Sequence, residues 1–234
     1  MTKKNRSLFN PLKVYRQNKD VVGYLYKLFS SEDKSVVVPY ATHGYYCLPI
    51  SYNKPIHLNF IDEGCYNYWS FLKTNQEKFL EINKLFLKPK DDKEAYYQVL
   101  ERKYFSEPNP MFRVVIMSIL SRTNENSNVF GGPHDIEYDD CFNDWYYQNV
   151  LNLELDNVSL SYNESFDNRH YFVQYVPKRD STTFHETFRD GFDIEEYNRK
   201  RNCLLICEDY TECEDFKFYH KMDFKNLTLL FKAR

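Results

Sequence analysis

The chain has 234 residues, of which 42% are hydrophobic and 28% charged, and its formal net charge at pH 7 is −3. This length accommodates one substantial domain with its own core, together with an inserted subdomain. No run approaches the roughly 18 consecutive apolar residues of a membrane-spanning helix, and the first ten residues, MTKKNRSLFN, contain no apolar signal core. These features predict a globular cytoplasmic protein with no membrane partner.

Charge is distributed unevenly along the chain. Residues 1–27 contain seven basic side chains against one acidic residue, Asp20, whereas residues 132–168 contain nine acidic side chains and no Lys or Arg. A basic arm can bind phosphate, and an uninterrupted acidic segment repels it. We therefore expect the N-terminal arm to be the segment that could bind DNA or RNA, and residues 132–168 to suit a protein partner. Ordinary solvated surface is the alternative for both segments.

The six cysteines are scattered through a chain that is too large to need disulfide bonds, so they are predicted to be reduced thiols. The spacing of Cys203, Cys207 and Cys213 does not match a paired zinc motif. We therefore expect no metal site. The composition, with 21 Tyr, 19 Phe and only 6 Gly, is typical of translation from an AT-rich genome, and it favours a viral or plasmid origin and the host cytoplasm.

The first half of the chain is predicted to begin with a helix and two strands. Apolar residues at helical spacing predict a helix over 20–29. The β-branched run at 35–40 and the segment 55–61 predict buried strands. A long helix is predicted over 64–87, with aromatic residues along one face.

The middle of the chain is predicted to be mainly helical. Helices are expected over 94–105 and 109–122, the second with Pro110 in its first turn, where proline is well tolerated. Residues 123–145 are predicted to be irregular and acidic.

The last third is predicted to return to strands. Strands are expected near 155–160 and at 170–176, followed by helix over 195–210 and by two closing strands at 216–222 and 226–233. Strands that alternate with helices predict an α/β protein with a parallel sheet covered on both faces. The helices between the early and late strands predict a helical insertion.

Three segments carry a family resemblance in their residues and in their order. PLKVYRQNKDVVGYLYKLF contains Tyr15 and Lys19, VVVPYATHGYYCL contains Gly44 after a predicted strand, and FVQYVPKRDSTTF follows the strongest strand of the second half. Together with the predicted helical insertion, these segments resemble the Dam-like, alpha-class DNA adenine-N6 methyltransferases. The match extends over nearly the whole chain.

The resemblance implies a fold and a domain organisation. It implies a Rossmann-like methyltransferase sheet that binds S-adenosylmethionine, with residues 1–62 and 151–234 as its two parts. Residues 63–150 would be the helical insertion that resembles the target-recognition region.

The resemblance also implies positions for the cofactor and for nucleic acid. Vestigial cofactor-binding positions fall on Tyr15, Lys19, Gly44 and Phe60, where the family places an acidic residue at the position of Phe60. Candidate nucleic-acid contacts are Lys19, Arg122, Asn126 and Arg179.

Most residues of the family's catalytic motif are replaced in this chain by residues of different chemistry. Of the family's D-P-P-Y motif only Pro177 remains, because Val176, Lys178 and Arg179 replace the acid, the second proline and the aromatic residue. Valine cannot accept a hydrogen bond from the target amine, and a cation about 4 Å from the sulfonium would cost roughly 4 kcal/mol at an effective dielectric near 20. We therefore expect no catalytic residues, no bound cofactor and no methyltransferase activity.

Phe60 adds a second defect at the cofactor position. A phenyl ring there forgoes charged hydrogen bonds to the ribose, each of which contributes about 1.5–3 kcal/mol. Together these changes predict an inactive methyltransferase-like protein that serves as a binding or regulatory subunit for nucleic acid, for a protein partner, or for both.

Three alternatives remain open. The protein could be an active but divergent adenine-N6 methyltransferase that uses S-adenosylmethionine, with Asp62 or Asp180 as a displaced carboxylate. It could be an assembly component that contacts only other proteins. The segment FVQYVP could also be an ordinary strand that ends at proline, which likewise predicts no activity. His43, His170 and His185 are interpreted as structural residues.

Overall fold

The protein was analysed as a computed structural model, which describes residues 9–12, 18–31, 34–41, 46–86, 92–124, 134–178 and 192–232. The chain divides into two compact units. The helical unit comprises Met1–Tyr15 and Asn67–Glu154, and the sheet unit comprises Arg16–Tyr66 and Leu155–Arg234.

The sheet unit contains seven strands: β1 (Val36–Val38), β2 (Ile56–Phe60), β3 (Val158–Tyr162), β4 (Tyr171–Val176), β5 (Cys203–Cys207), β6 (His220–Phe224) and β7 (Leu227–Lys232). Their order in the sheet is β3-β2-β1-β4-β5-β7-β6. The first five strands are parallel: β2 pairs with β3 and β1, and β4 pairs with β1 and β5. Strand β7 runs antiparallel to both β5 and β6. The mixed α/β class with a mostly parallel sheet agrees with the sequence-based prediction.

The central strands are apolar because both of their faces are covered. Every residue of β1, β4 and β5 is buried, which is the pattern of parallel strands that have cover on both sides. The outer strand β6 is mostly exposed and forms a hairpin with β7 through the two residues 225–226.

The strand order changes direction between β1 and β4. These two strands pair only at Val36 with Tyr171 and at Val37 with Phe172, so their carboxyl ends continue beyond the last paired residues. In doubly wound sheets, ligands bind in the crevice outside the carboxyl ends of the strands at this kind of switch point. A ligand site in this sheet is therefore expected there.

The helices of the sheet unit begin at residues that can cap them. α1 (Lys19–Ser30) follows Asn18, whose side chain accepts hydrogen bonds from the main-chain amides of Asp20 and Val21. The first turn of α2 (Glu63–Thr74) also belongs to this unit. A short helix, α8 (Ile194–Arg199), and two 3-10 helices, Leu48–Tyr52 and Tyr210–Cys213, complete the described part of the unit.

The helical unit is built around α5. Its residues from Val114 to Ser121 are all buried, and α3, α4 and α6 contact it. The unit contains the remainder of α2 and the helices α3 (Gln76–Leu85), α4 (Lys93–Ser106), α5 (Pro110–Thr123), α6 (Tyr138–Cys141) and α7 (Asp144–Leu151).

Three predictions of secondary structure were wrong. The helix expected over 195–210 is α8 followed by the central strand β5, because the buried run Cys203–Cys207 fits an interior strand position. The long helix over 64–87 is two helices, with Asn75 between them. Within the region predicted to be irregular, residues 138–141 and 144–145 are helical.

Among the residues described, none of the helices combines the length and the apolar content needed to cross a bilayer.

Candidate functional site

Gln174 joins β4 to the chain segment that follows β1. Its Oε1 accepts hydrogen bonds from the main-chain amide of Tyr40 at 3.0 Å and from the hydroxyl of Tyr197 at 3.0 Å. Its Nε2 donates to the carbonyl oxygens of Tyr40 at 3.1 Å and Tyr175 at 2.8 Å. The amide is fully buried, and all four of its hydrogen-bonding positions are used. The side chain thus continues the β1–β4 pairing at the switch point.

Asn59 plays a matching role on β2. Its Nδ2 donates to the carbonyl oxygens of Pro39 at 2.8 Å and Glu164 at 3.1 Å. Its Oδ1 accepts from the main-chain amide of Glu164 at 3.0 Å and from the hydroxyl of Ser161 at 2.8 Å. Asn59 therefore fixes both the segment after β1 and the connection after β3.

That connection, residues 163–170, leads from β3 to β4 without a helix. The Nζ of Lys200 donates to the carbonyl of Phe166 at 3.2 Å, and the hydroxyl of Ser35 lies 2.6 Å from Nδ1 of His170. The ring of Phe166 contacts His57 edge-on at 4.8 Å. Burial lowers the pKa of His57 below its ordinary value, so the imidazole is neutral at pH 7 and acts as a hydrogen-bonding group.

The carboxyl end of β4 carries an apolar side chain. Val176 is 2% exposed and packs with Val37, Phe172 and Cys207 in the core of the sheet unit. Pro177 is also buried. The position that the resemblance assigns to the catalytic acid is therefore an apolar core position.

A carboxylate reaches this strand end from the neighbouring strand. Glu208 follows β5, and its Oε2 accepts the main-chain amide of Lys178 at 2.9 Å. The amide of Glu208 donates in turn to the carbonyl of Val176 at 3.0 Å. Hydrogen bonds from Thr211 lower the pKa of the adjacent Asp209, and the charge of Lys178 lowers it further.

Phe60 ends β2 inside the apolar core. Its ring is fully buried and lies 6.4 Å from that of Tyr66. Its carbonyl accepts the amide of Asn163 at 2.9 Å, and Asn163 adopts a left-handed backbone with φ of 55°. The phenyl ring therefore offers no hydrogen-bonding group at the place of the ribose-binding acid.

Asp62 caps helix α2. Its Oδ1 accepts the main-chain amide of Cys65 at 2.7 Å. A carboxylate at this position satisfies an otherwise unpaired amide and complements the positive end of the helix dipole. Its hydrogen bond to the helix accounts for an acidic residue at this position.

Two tyrosines near the switch point are held as neutral phenols. Burial raises the pKa of Tyr40 to about 12, and the nearby Glu196 carboxylate, which accepts the Tyr40 hydroxyl at 3.4 Å, contributes to the rise. Burial also raises the pKa of Tyr197 well above its ordinary value. Both groups act as hydrogen-bond donors at pH 7 and cannot act as bases.

Arg122 is engaged within the helical unit. Its guanidinium lies over the ring of Tyr146, 4.5 Å from the centroid, and its Nη1 donates to the carbonyls of Asn10 at 3.4 Å and Pro11 at 3.3 Å. By contrast, Lys19 in the sheet unit is exposed at the first residue of α1.

The remaining candidates lie outside the described residues. These are Tyr15, Gly44, Asn126, Arg179 and Asp180, together with His43 and His185. Within the described part of the chain, no group of three or more His, Cys, Asp or Glu side chains is arranged to hold a metal ion.

Sequence reasoning missed the two amides and the carboxylate of Glu208. Gln174 and Asn59 could have been found, because each is a polar residue within an apolar strand, and a buried amide needs hydrogen-bond partners. Glu208 could not have been found from the sequence, because the segment around it was predicted to be helical.

Neither Phe60 nor Gln174 offers a hydrogen-bonding group to S-adenosylmethionine. An apolar ring ends β2, and the hydrogen-bonding capacity of Gln174 is saturated by the protein itself. In comparisons with known proteins, no family model matches the chain and no curated protein sequence matches it.

Proposed function

We propose that the chain is a catalytically inactive methyltransferase-like protein that acts as a binding or regulatory subunit for nucleic acid, a protein partner, or both. The observation that carries this proposal is the burial of Val176 at the carboxyl end of β4. A buried aliphatic group there cannot draw electron density onto a target amine, and opening the core to expose it would cost about 1.5–3 kcal/mol.

The strand order supports the methyltransferase-like part of the proposal. The first five strands follow the doubly wound order 3-2-1-4-5. The antiparallel strand β7 lies between β5 and β6, which departs from the order 3-2-1-4-5-6 of dinucleotide-binding sheets.

The inactive part of the proposal is tested by calorimetry with S-adenosylmethionine and with S-adenosylhomocysteine. We expect no binding heat for either ligand. A cooperative urea transition in the same preparation confirms that the protein is folded. Micromolar binding of either ligand would remove the basis of the proposal.

An active, divergent methyltransferase is a second candidate because Glu208 brings a carboxylate to the main-chain amide of Lys178. Transfer of a radiolabelled methyl group to DNA and RNA tests it directly. This candidate requires transfer by the natural sequence, loss of transfer in Glu208→Gln, and retention in the exposed control Glu154→Gln. We expect no transfer by any of the three proteins.

An assembly component is a third candidate because the helical unit exposes large apolar side chains. Leu85 is 69% exposed, Phe105 71% and Trp145 60%. Exposed apolar residues of this size are typical of protein contacts when they form a patch. Affinity capture from the native host tests this candidate: retention of a partner by the natural sequence and its loss in Leu85→Glu and Phe105→Glu, with Tyr219→Glu as the sheet-unit control, would support it.

A further inference from the structure

Two thiols face each other in the core of the sheet unit. Cys207 is the last residue of β5 and Cys213 is the last residue of the 3-10 helix Tyr210–Cys213. The Sγ of Cys207 donates a hydrogen bond to the Sγ of Cys213 at 2.7 Å, and both side chains are fully buried. We propose that Cys207 and Cys213 form a redox-modification site, in which a low-molecular-weight disulfide converts the two thiols into an intramolecular disulfide.

The chain between the two cysteines is already folded into a closed loop. The carboxylate of Asp209 accepts the main-chain amide of Thr211 at 3.1 Å and its hydroxyl at 2.8 Å. The carbonyl of Asp209 accepts the amide of Glu212 at 3.3 Å, and the amide of Phe216 donates to the carbonyl of Cys213 at 3.0 Å. These contacts fold residues 209–216 into a compact turn directly after β5, and the two sulfurs already lie 2.7 Å apart.

The reaction is a two-step thiol–disulfide exchange. One cysteine, as its thiolate, attacks the external disulfide and releases one external thiolate, which takes up the proton that the cysteine lost. The second cysteine then attacks the mixed disulfide and releases the other external thiol. Overall, two cysteine thiols and one external disulfide give one intramolecular disulfide and two external thiols, so the external disulfide receives both electrons.

Burial sets the rate of this reaction. Desolvation raises the pKa of Cys207 well above its ordinary value, and the thiolate is the reactive form of cysteine. Reaction therefore requires transient opening of residues 208–213, and it becomes faster as the pH rises.

Oxidation would also affect the end of β4. Glu208 follows Cys207 directly, and its carboxylate accepts the main-chain amide of Lys178. A covalent link across residues 207–213 would therefore restrict the segment that supports the carboxyl end of β4. The inference uses only the thiols and this loop, and it stands whether or not the protein is methyltransferase-like.

The test is a thiol count on the full-length chain after incubation with oxidised glutathione at pH 8. The protein is then denatured, its free thiols are alkylated, and its intact mass is measured without reduction. We expect two of the six cysteines to become protected from alkylation, with no retained glutathione. Cleavage after glutamate separates the two cysteines, since Glu208 and Glu212 lie between them, and a linked pair of peptides should appear that separates on reduction.

Matched variants identify the pair. Cys203→Ser, on the same strand, should still form the intramolecular disulfide, whereas Cys207→Ser and Cys213→Ser should form none, because a single remaining cysteine can react only as far as a mixed disulfide with glutathione. Circular dichroism shows whether each variant folds. Full alkylation of the oxidised natural sequence, glutathione adducts that persist on the natural sequence, or an intramolecular disulfide that still forms in Cys207→Ser would overturn the proposal. If both Cys207→Ser and Cys213→Ser are unfolded, peptide mapping of the natural sequence decides alone.

Discussion

Two buried amide side chains hold the main-chain segments that directly follow β1 and β3. Gln174 binds the amide and the carbonyl of Tyr40, and Asn59 binds the amide and the carbonyl of Glu164. Each side chain therefore offers a donor and an acceptor to one residue, as a neighbouring strand would. The interior stays polar at these points, and every buried amide atom involved has a partner.

Gln174→Glu should destabilise the sheet unit strongly. The substitution removes both donors and places a carboxylate against the carbonyls of Tyr40 and Tyr175 in a buried position. Losing one side of a buried polar network costs roughly 3–5 kcal/mol, and urea unfolding measures this loss. The control is Gln98→Glu on the exposed face of α4, which should change the unfolding free energy by less than about 0.5 kcal/mol. A similarly small effect at Gln174 would contradict the assigned network.

His134 gives the helical unit a pH-dependent element. Its Nδ1 lies 2.8 Å from the Thr123 hydroxyl, its ring stacks on Tyr97 at 4.2 Å, and its Nε2 is 3.7 Å from the Glu101 carboxylate. Burial lowers the pKa of His134, and Glu101 opposes this effect without reversing it. The unfolded chain therefore takes up a proton at higher pH than the folded chain does.

The unfolding free energy should consequently fall as the pH decreases through about 6.5, the ordinary histidine value. Above that range both states are neutral at this residue and it adds no pH dependence. His134→Gln should cost about 1–3 kcal/mol at pH 7.5, and the difference from the natural sequence should shrink at lower pH. Urea titrations at several pH values measure this, with His220→Gln on exposed β6 as the control. A difference that stays constant with pH would rule out a role for His134 protonation.

At the level of elements, two substitutions of Asp62 test whether this residue serves to cap helix α2. Asp62→Ala removes the cap from the Cys65 amide and should cost about 0.5–2 kcal/mol. Asp62→Asn keeps an oxygen in the same place and should retain most of this stability. Thermal or urea unfolding of the two variants measures the effect. Equal destabilisation by both substitutions would show that the negative charge matters more than the hydrogen bond.

Helices and strands were predicted correctly where the local residue preferences alone define them. The strand at 170–176 was recognisable because β-branched and aromatic residues dominate it. The five residues of β5 are equally apolar, but a short apolar run is compatible with either a buried helix or a buried strand. The pairing of β5 with β4 and β7 makes this run a strand, and local periodicity in the sequence does not reveal such pairing.

For the whole molecule, the uneven charge makes a prediction about nucleic acid. The net charge is −3, yet the basic arm at residues 1–27 could still contact phosphates. If it does, the affinity for duplex DNA should fall with increasing salt, with a slope of roughly 0.9 per phosphate contact. Neutralising Lys3, Lys4, Arg6 and Lys19 should flatten that slope, as measured by fluorescence anisotropy.

Lys217→Gln, an exposed lysine outside the arm, is the matched control and should leave the slope unchanged. Binding that is insensitive to the four substitutions would place the contact elsewhere. Absence of any binding would favour the role as a protein-assembly component.

The sequence by itself determined the α/β class, the apolar character of the central strands and the uneven charge, because these depend on composition and on short-range periodicity. Only the tertiary structure decided the strand order and three contacts between side chains and their partners. These contacts are the hydrogen bonds between Gln174 and Tyr40, between Glu208 and the amide of Lys178, and between Cys207 and Cys213. These features join residues that come together through strand pairing and side-chain packing. Local sequence preferences specify neither which strands become neighbours nor which buried polar groups become partners.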